Sequence, residues 1–508
     1  MVRLSKTIRL VEEGAKLSRP VHRVVIRYRR SRYRRPLRRS GPEPGGRLHH
    51  RCGSFFFSCS RTPAAARLTR RIRQATISFM SDTTSAVRPY DITLAGATGF
   101  TGRLVTEYLL ENAPESLRLA LAGRNPERLG ALPTRAGVTV LEGDLLKSGD
   151  TDRIAAASRV VISTVGPYSR YGDGLVKSCA RHGTHYVDLA GEVPWIRRMI
   201  DSFEPTARAS GACIVHCCGF DSIPSDLGVM LLREEMQSHG TRPRVLRLVV
   251  GDTVGGFSGG TVESLLAVFR EARQDQRTRA LLCDPDGLVT HRPGSSGNSG
   301  MPGPASAPNG TRRHGSRTIV ALPRFDRFLQ HWTVPFLMAV INERVVRRTN
   351  SLEGFPLGTD PDYREVIAFG AGAGGLLRAW GVAAVTILFG TLLALPPTRW
   401  ILRRLVLPRA GDGPRVAVEG GGHFRVTISG IAENGRTTTV SVRADRDPGY
   451  GATAVMIAEC ALHLAQQSRA NRPPPAGFQT PATAGGTVLV RRLNAAGIRF
   501  EVGTKNGD

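Results

Sequence analysis

The fold of this chain is decided by residues 90–102, which read YDITLAGATGFTG. A short apolar segment typical of a buried strand, residues 91–95, comes first, and a helical pattern over residues 103–110 follows the glycines. Between the two stands G-x-x-G-x-x-G. Its glycines permit a tight turn, a close approach of backbone N–H groups to a pyrophosphate, and close helix–strand packing. Strand, glycine loop and helix in this order predict a dinucleotide-binding site at the start of the helix.

Short apolar segments alternate with helical ones through the residues that follow. We predict strands at residues 117–122, 138–141, 160–163, 185–189 and 213–217, and helices at 174–182 and 195–209. Such alternation predicts a parallel sheet covered by helices on both faces. Alternating segments at 423–428 and 437–442 indicate antiparallel strands, and residues 452–468 an amphipathic helix. The predicted fold class is α/β, a Rossmann-type doubly wound parallel sheet followed by an α+β domain with a mixed or antiparallel sheet.

Charge and composition divide the 508 residues into parts. The first eighty residues carry 21 Lys and Arg against three acids, and so supply most of the net charge of +28. We interpret residues 1–86 as a disordered basic extension and expect translation to start at Met80. Residues 87–225 are predicted to form the nucleotide-binding domain. Residues 226–500 are predicted to form an α+β substrate and dimerisation domain, with a mobile Gly-, Ser-, Pro- and Asn-rich insertion at 284–317.

Gly123 and Arg124, which follow the second predicted strand, indicate which dinucleotide binds. Sites that prefer NAD place Asp or Glu there, whereas this chain has Arg124, whose guanidinium suits a 2′-phosphate. The sequence therefore predicts NADPH. Asp144 is placed to border the adenine, and Thr164 and Gly166 end the fourth strand where the nicotinamide belongs. The predicted cofactor-binding residues are Gly96, Thr98, Gly99, Phe100, Thr101, Gly102, Arg124, Asp144, Thr164 and Gly166.

Several longer motifs resemble those of a known family. They are GATGFTG, AGR at 122–124, STVGPY at 163–168, GTHYVDLAGE at 183–192, CCGFDSIPSDLG at 217–228, PFLMAVINERVVRRTNSL at 335–352 and DPGYGATAVMIAECAL at 447–462. In these the chain resembles the saccharopine dehydrogenase-like oxidoreductases, and within them most closely the actinobacterial trans-acting enoyl reductases. The resemblance implies NADPH-dependent reduction of a C=C bond in a polyketide or fatty-acyl intermediate of complex lipid synthesis. It implies a substrate carried on a polyketide synthase, and we expect a homodimer.

Two residues are candidates for the chemistry that this resemblance implies. Reduction of an enoyl thioester needs hydride at the β-carbon, a donor to the carbonyl and a proton at the α-carbon. We predict Tyr168, after the fourth strand, as the donor and Asp221, after the sixth, as part of the substrate wall. Tyr186, Asp188 and Glu192 cluster near the fifth strand. The alternatives are that Asp188 or Asp221 caps a following helix and that Tyr168 only packs.

Other functions remain open at this stage. The glycine loop is also typical of NADP-binding redox sensors or scaffolds without turnover. A saccharopine dehydrogenase-like reductase of a different substrate is another alternative, although the chain has no lysine between Lys177 and Lys505 to bind a dicarboxylate. Because the basic charge is concentrated in the first eighty residues, we predict no nucleic-acid partner. We also predict no metal, since His216, Cys217 and Cys218 are adjacent strand residues that point to opposite faces.

Residues 379–395 form an uncharged apolar segment, and a stretch that mixes apolar residues with arginine follows it. Its 17 residues reach the lower limit for spanning a bilayer, ~17–25 residues. Apolar and basic residues together suit an interfacial segment on anionic lipid. We predict that residues 379–407 attach a cytoplasmic protein peripherally to the cytoplasmic face of the plasma membrane. The alternative is a buried core helix.

Overall fold

The computed structural model describes residues 88–255, 259–290, 322–394, 398 and 422–505. The predicted basic extension lies outside these ranges, as do most of the predicted insertion and the end of the predicted apolar segment. The strands are β1 (Tyr90–Ala95), β2 (Leu119–Gly123), β3 (Val138–Glu142), β4 (Ser158–Ser163), β5 (His185–Asp188), β6 (Cys213–Val215), β7 (Pro243–Val254), β8 (Arg324–Asp326), β9 (His331–Pro335), β10 (Asp362–Ala368), β11 (His423–Ala432), β12 (Thr437–Ala444), β13 (Gly477–Gln479) and β14 (Arg499–Lys505).

The α-helices are α1 (Phe100–Asn112), α2 (Pro126–Gly130), α3 (Ser148–Ala157), α4 (Tyr168–Tyr171), α5 (Asp173–His182), α6 (Val193–Ser210), α7 (Ile223–Ser238), α8 (Gly259–Gln274), α9 (Gln276–Cys283), α10 (Ala339–Leu352), α11 (Ala373–Ala394), α12 (Thr453–Arg469) and α13 (Pro481–Ala495). A short π-helix, Pro448–Ala452, precedes α12. The strands and helices predicted from the sequence are present, with ends that shift by a few residues.

The first sheet has the order β13-β6-β5-β4-β1-β2-β3, and all of its strands are parallel. Its central strands are mostly apolar and buried, as in Ile92 and Leu94 of β1 and Val160 and Ile162 of β4, because helices cover both faces, whereas edge strand β3 is partly exposed. The chain reverses its direction of travel across the sheet between β1 and β4. In such sheets ligands bind at that point, beyond the carboxyl ends of the strands. The predicted Rossmann-type sheet is confirmed.

The C-terminal part of the chain returns to this first sheet. Strand β13 pairs with β6, and α12 packs against α1, β1, β4 and β5. The Tyr108 hydroxyl of α1 donates a hydrogen bond of 2.7 Å to Glu459 of α12, and Arg492 of α13 lies 2.7 Å from the same carboxylate. The predicted boundary between the nucleotide-binding domain and the α+β domain lies after residue 225. In the structure, the first sheet is completed by residues that lie far beyond that point.

The second sheet is mixed, as predicted, with the order β14-β12-β11-β7-β10-β9-β8. Only β7 and β10 pair in parallel; the other neighbours are antiparallel. Side chains of β11 alternate between buried and less buried, and α7 covers the buried face. A Cβ atom at Gly228 of α7 would lie 2.6 Å from Ile428 Cδ1, so glycine lets this helix approach the sheet closely. One apolar core joins both sheets through α7 and α12.

Candidate active site

The glycine loop connects β1 to α1 in a conformation that needs its glycines. Gly96 has φ +89°, and a Cβ atom there would lie 2.7 Å from Val165 Cγ2. A Cβ atom at Gly102 would lie 2.1 Å from the carbonyl oxygen of Gly96, closer than any real contact. A side chain at Gly96 would displace the loop from the residues that follow β4, and one at Gly102 would displace α1 from the loop. The third glycine therefore has the packing role that the motif predicts.

The start of α1 is open to an anion. Gly99 is the N-cap residue and makes no side-chain capping hydrogen bond, and the first turn of the helix contains no acidic residue. The first N–H groups of a helix have no partner within it and form the positive end of its dipole. Thr98, Phe100 and Thr101 surround them and are partly exposed. These residues fit the pyrophosphate of a dinucleotide.

Arg124 follows β2 and is exposed at the carboxyl edge of the sheet. Its guanidinium carbon lies 6.0 Å from the ring centroid of Tyr171, and that of Arg170 lies 5.0 Å from the same ring. Tyr171 and Arg170 belong to α4, which follows β4. The structure thus assembles two guanidinium groups on one aromatic ring next to the nucleotide site. Sequence reasoning found Arg124 and missed the other two, since nothing local links them to it.

Asp144 has local structural contacts, and so does Arg128, the arginine one helical turn after Arg124. The Asp144 carboxylate accepts a hydrogen bond from the N–H of Leu146 at 3.1 Å, and its own N–H donates to Asp150 at 2.9 Å. The N–H of Arg128 donates to the side chain of Asn125, the N-cap of α2. The carboxylate and the N–H of Asp144 therefore stabilise the turn that holds this residue at the end of β3. No described contact joins it to the other predicted cofactor residues.

The end of β4 is bound to the glycine loop. The Thr164 hydroxyl lies within hydrogen-bond distance of the carbonyls of Ala95, at 3.2 Å, and Gly96, at 3.3 Å. The buried carboxylate of Glu192 fixes the next turn: it accepts from the N–H of Tyr168 at 2.7 Å, from the N–H of Ser169 at 2.9 Å and from the hydroxyl of Ser264 at 2.8 Å. Gly166 lies between these two anchors, facing Ser264.

Tyr168 is buried, and its hydroxyl points into the protein. The hydroxyl donates to the carbonyl of Ser163 at 3.0 Å and accepts from the N–H of Leu189 at 3.1 Å, while the ring packs on Trp195. Burial holds the pKa of Tyr168 well above its ordinary value, and nearby Asp188 raises it further. A hydroxyl so enclosed does not reach a substrate. The geometry therefore supports the packing alternative rather than the predicted role of Tyr168 as a donor.

Asp188 and His216 form a buried pair at the ends of β5 and β6. One Asp188 oxygen lies 2.7 Å from His216 Nδ1, and the other accepts from the N–H groups of Ala190 and Cys217 at 3.0 and 3.3 Å. The His216 ring contacts the rings of Tyr186, Trp195 and Phe478. Within the described ranges, no group of three or more His, Cys, Asp or Glu side chains could hold a metal ion. The pair fixes the two strand ends.

Asp221 comes just after β6 and is partly exposed. Burial raises its pKa to about 6, and its carboxyl group has no hydrogen-bond partner among the described residues. The next residue, Ser222, is the N-cap of α7, so Asp221 does not cap that helix. The Ser222 hydroxyl donates to Asn342 at 3.1 Å, which holds the turn against α10. Asp221 thus presents a carboxyl group of raised pKa at the carboxyl edge of the sheet.

Residues from the C-terminal part of the chain also pack against the glycine loop. The ring of Tyr450 meets Phe100 edge to face, with 4.7 Å between centroids. The N–H of Tyr450 donates to Asp447 at 2.8 Å, and a Cβ atom at Gly255 would lie 2.3 Å from the same carboxylate. Phe220, beside Asp221, packs on Phe424 of β11. The motif at 447–462 contains Tyr450, but its place beside the glycine loop depends on a tertiary contact that no local pattern indicates.

Comparison with known proteins gives three findings. A family model described as NAD(P)H-binding matches residues 96–191. The chain is 36% identical to the trans-acting enoyl reductase of Mycobacterium tuberculosis over 431 residues, 81% of this chain and 97% of that protein. It is 33% identical to the trans-acting enoyl reductase of Mycobacterium ulcerans over 430 residues, 82% of this chain and 98% of that protein.

Among solved structures, the chain is similar to apo saccharopine dehydrogenase (L-Glu forming) from Saccharomyces cerevisiae. The two sequences are 14% identical, the TM-score is 0.46, and the match covers 82% of this chain and 99% of that one.

Proposed function

This chain belongs to the family of the trans-acting enoyl reductases, and we propose that it uses NADPH to reduce the C=C bond of an enoyl thioester in lipid synthesis. The chain is an oxidoreductase with a nicotinamide cofactor, because its family consists of enoyl reductases and residues 96–191 match an NAD(P)H-binding model. The name of the relatives speaks of action in trans. We extend this to a substrate that a separate synthase carries as a polyketide or fatty-acyl chain.

The proposal for the cofactor is based on the glycine loop and the start of α1. No side chain caps the first turn of this helix, and the loop before it has no room for a side chain at Gly96 or Gly102. Such a cradle suits a pyrophosphate. The predicted residues of the loop, from Gly96 to Gly102, are proposed to hold it. Thr164 and Gly166 are proposed to border the nicotinamide, because parallel strands end at one edge of the sheet.

The preference for NADPH is proposed from the charges after β2. Arg124 stands where an NAD site has a carboxylate, and Arg170 lies on the same Tyr171 ring. A guanidinium binds phosphate oxygens through two parallel N–H donors, and it remains charged at any physiological pH. Asp144 is proposed to border the adenine from the end of β3. A 2′-phosphate would thus meet two positive charges and would not face the carboxylate that an NAD site places after this strand.

When bound, the cofactor supplies the hydride, which adds to the β-carbon of the enoyl group. The electron pair of the C=C bond then moves toward the thioester carbonyl, and a proton must reach the α-carbon. We propose that Asp221 provides it, because a carboxyl group with a pKa of about 6 keeps a proton for part of the time near neutral pH. Hydride and proton together saturate the bond. Phe220, partly exposed beside Asp221 and packed on the buried ring of Phe424, provides an apolar wall for an acyl chain.

Turnover of a defined thioester tests the proposed function. The full chain is mixed with NADPH and trans-2-dodecenoyl-CoA, and the product is identified by mass spectrometry. We expect a saturated acyl-CoA that has gained two hydrogens, with one NADPH consumed for each molecule formed. Dodecanoyl-CoA serves as the control and should consume no NADPH. Reduction of the thioester carbonyl, or NADPH binding without any reduction of acyl-CoA or acyl-carrier-protein substrates, would contradict the proposal.

A further inference from the structure

Helix α11 has its small residues inside and its large apolar residues outside. Ala379 and Ala383, one turn apart, are fully buried. On the opposite side Leu377 is 73% exposed and Leu388 59%, and on the flank Trp380 is 50% exposed. A helix at the surface of a soluble protein normally has the reverse arrangement, with large apolar residues against the core and polar ones in water. We call the exposed residues Leu377, Trp380, Val385, Ile387, Leu388 and Phe389 the outer face of α11.

This arrangement follows from how α11 packs. Ala379 and Ala383 form a small apolar cluster with Val334 of β9, against which Trp332 and Ile367 also pack. Small side chains allow the helix to lie close to the sheet, while its bulky residues project away from it. Only 17% of the apolar window Ala373–Leu392 is buried. The alternative of a buried core helix is therefore wrong for this segment.

The outer face is large, apolar and almost without hydrogen-bonding groups. By length and composition Ala373–Leu392 is the one helix of the described residues that could cross a membrane, with a mean hydropathy of 1.6. Phe325, which pairs with Trp332 across β8 and β9, extends the exposed apolar surface beside the helix. Contiguous exposed apolar surface of this kind marks a site of interaction with a protein or a membrane.

Charge decides between these two occupants. Between Glu365 and Asp412 the sequence contains no acidic residue and five arginines, which are Arg378, Arg399, Arg403, Arg404 and Arg409. Arg378 is exposed on α11, and a second copy of the chain placed on this face would add its own arginines to a part of the sequence that has no acidic residue to pair with them. Anionic lipid headgroups would neutralise them, while the acyl region receives the apolar side chains.

We propose that the outer face of α11 docks on an anionic lipid surface, with the helix lying in the interface. Lying flat keeps Ala379 and Ala383 in contact with β9, whereas a spanning helix would have to leave the sheet. This places the enzyme where long acyl chains of the proposed substrate class reside. The membrane proposal does not depend on which nucleotide binds or on whether an enoyl group is reduced.

Flotation with vesicles tests the proposal. The full chain is mixed with vesicles of phosphatidylcholine alone, or of phosphatidylcholine and phosphatidylglycerol in equal amounts. We expect flotation with the mixed vesicles and much weaker flotation with the neutral ones. The double variant Leu377→Glu/Leu388→Glu should partition at least about tenfold more weakly, because two apolar contacts are replaced by charges. A matched control, Val140→Glu/Val488→Glu, alters two valines that are 40% and 41% exposed on other elements, and it should float like the wild type.

The fluorescence of Trp380 reports how deeply α11 enters the lipid. Brominated acyl chains in the mixed vesicles should quench the fluorescence of the wild type more than that of Trp380→Phe. Nucleotide binding by the Leu377→Glu/Leu388→Glu variant reports that it is folded. Equal flotation of this variant and the wild type would overturn the proposal. A second result would also overturn it: a wild type that does not bind vesicles and sediments as a dimer, together with a variant that sediments as a monomer. The outer face would then bind a second copy of the chain.

Discussion

At the scale of single residues, the tightest constraint lies at Gly102. Gly102→Ala would put a methyl group 2.1 Å from the Gly96 carbonyl oxygen and 2.9 Å from Ala97 Cα, and these backbone atoms cannot turn aside as a side chain can. We expect a loss of about 1–3 kcal/mol in the free energy of unfolding and a large loss of nucleotide affinity. Denaturant unfolding and nucleotide titration measure the two effects. Gly149→Ala, in α3 with nothing within 4 Å of the added Cβ atom, is the control and should be neutral or stabilising.

Arg124 should determine the choice of nucleotide. Arg124→Ala removes a charged donor from the proposed 2′-phosphate site, and we expect NADPH to bind about 10–100-fold more weakly while NADH binding is nearly unchanged. Calorimetric titration with both nucleotides checks this. Arg128→Ala is the matched control, since its side chain makes no described contact with Tyr171. An equal loss for NADPH and NADH in Arg124→Ala would mean that the residue does not contact the 2′-phosphate.

Asp221 links activity to pH. The raised pKa of about 6 means that the protonated form, the proposed donor, is lost as the pH rises through that value. We expect kcat/KM to fall above pH 6 in the wild type. Asp221→Asn should be slower by about 10²–10⁴-fold, and its residual rate should lack this pH dependence. Asp221→Glu should restore part of the rate. A wild-type profile that is flat between pH 5 and 8 would rule out this role.

The same carboxyl group should reduce stability at neutral pH. Its pKa is higher in the folded state than its ordinary 3.8, so the folded state binds more protons between about pH 4 and pH 6, and stability falls as the pH rises through this window. Asp221→Asn removes this effect. With allowance for its partial exposure, we expect it to stabilise the protein by ~1 kcal/mol at pH 7 and hardly at all at pH 4. Thermal unfolding at the two pH values measures the difference.

At the scale of elements, α1 and α12 are joined by one buried hydrogen bond, from Tyr108 to Glu459. Tyr108→Phe leaves the Glu459 carboxylate with Arg492 but without the hydroxyl. We expect a loss of about 1–2 kcal/mol in the free energy of unfolding. Tyr90→Phe is the control, because the Tyr90 hydroxyl makes no described hydrogen bond. Equal effects of the two changes would show that the bond adds nothing to the packing.

The elements predicted from the sequence are those whose pattern is local. Residues 91–95 and 160–163 are apolar runs bounded by turns, and the periods of strands and helices are visible in such segments. Strand β13 was missed because Gly477–Gln479 is three residues long and has no pattern. It becomes a strand only because β6 has a free edge there. The surroundings of Tyr168 depend on distant residues in the same way: its position after β4 follows from the local pattern, but its contacts are made by Leu189, Trp195 and Glu192, which are distant in sequence.

At the scale of the molecule, the two predicted domains should not separate. Without residues 226–500, the nucleotide-binding part would lack β13 and α12, and the apolar faces of β1 and α1 would meet water. We expect residues 80–225 alone to aggregate or to unfold without cooperativity, and residues 80–508 to unfold in a single transition. Circular dichroism and size-exclusion chromatography compare the two. A monomeric, cooperative fragment that binds NADPH would mean that the first sheet tolerates a missing edge.

Because the chain returns to the first sheet only near its end, this sheet stays incomplete for much of the time that the protein is being synthesised. Strand β6 leaves the ribosome about 260 residues before its neighbour β13. At ~5–20 residues per second, its edge waits for roughly 13–50 s. Throughout that interval the nascent chain has an unpaired edge strand and an uncovered apolar face, the features that recruit chaperones or lead to aggregation. The yield of this protein in a foreign host should therefore depend on how slowly the second half is translated, and on which holdase meets it first.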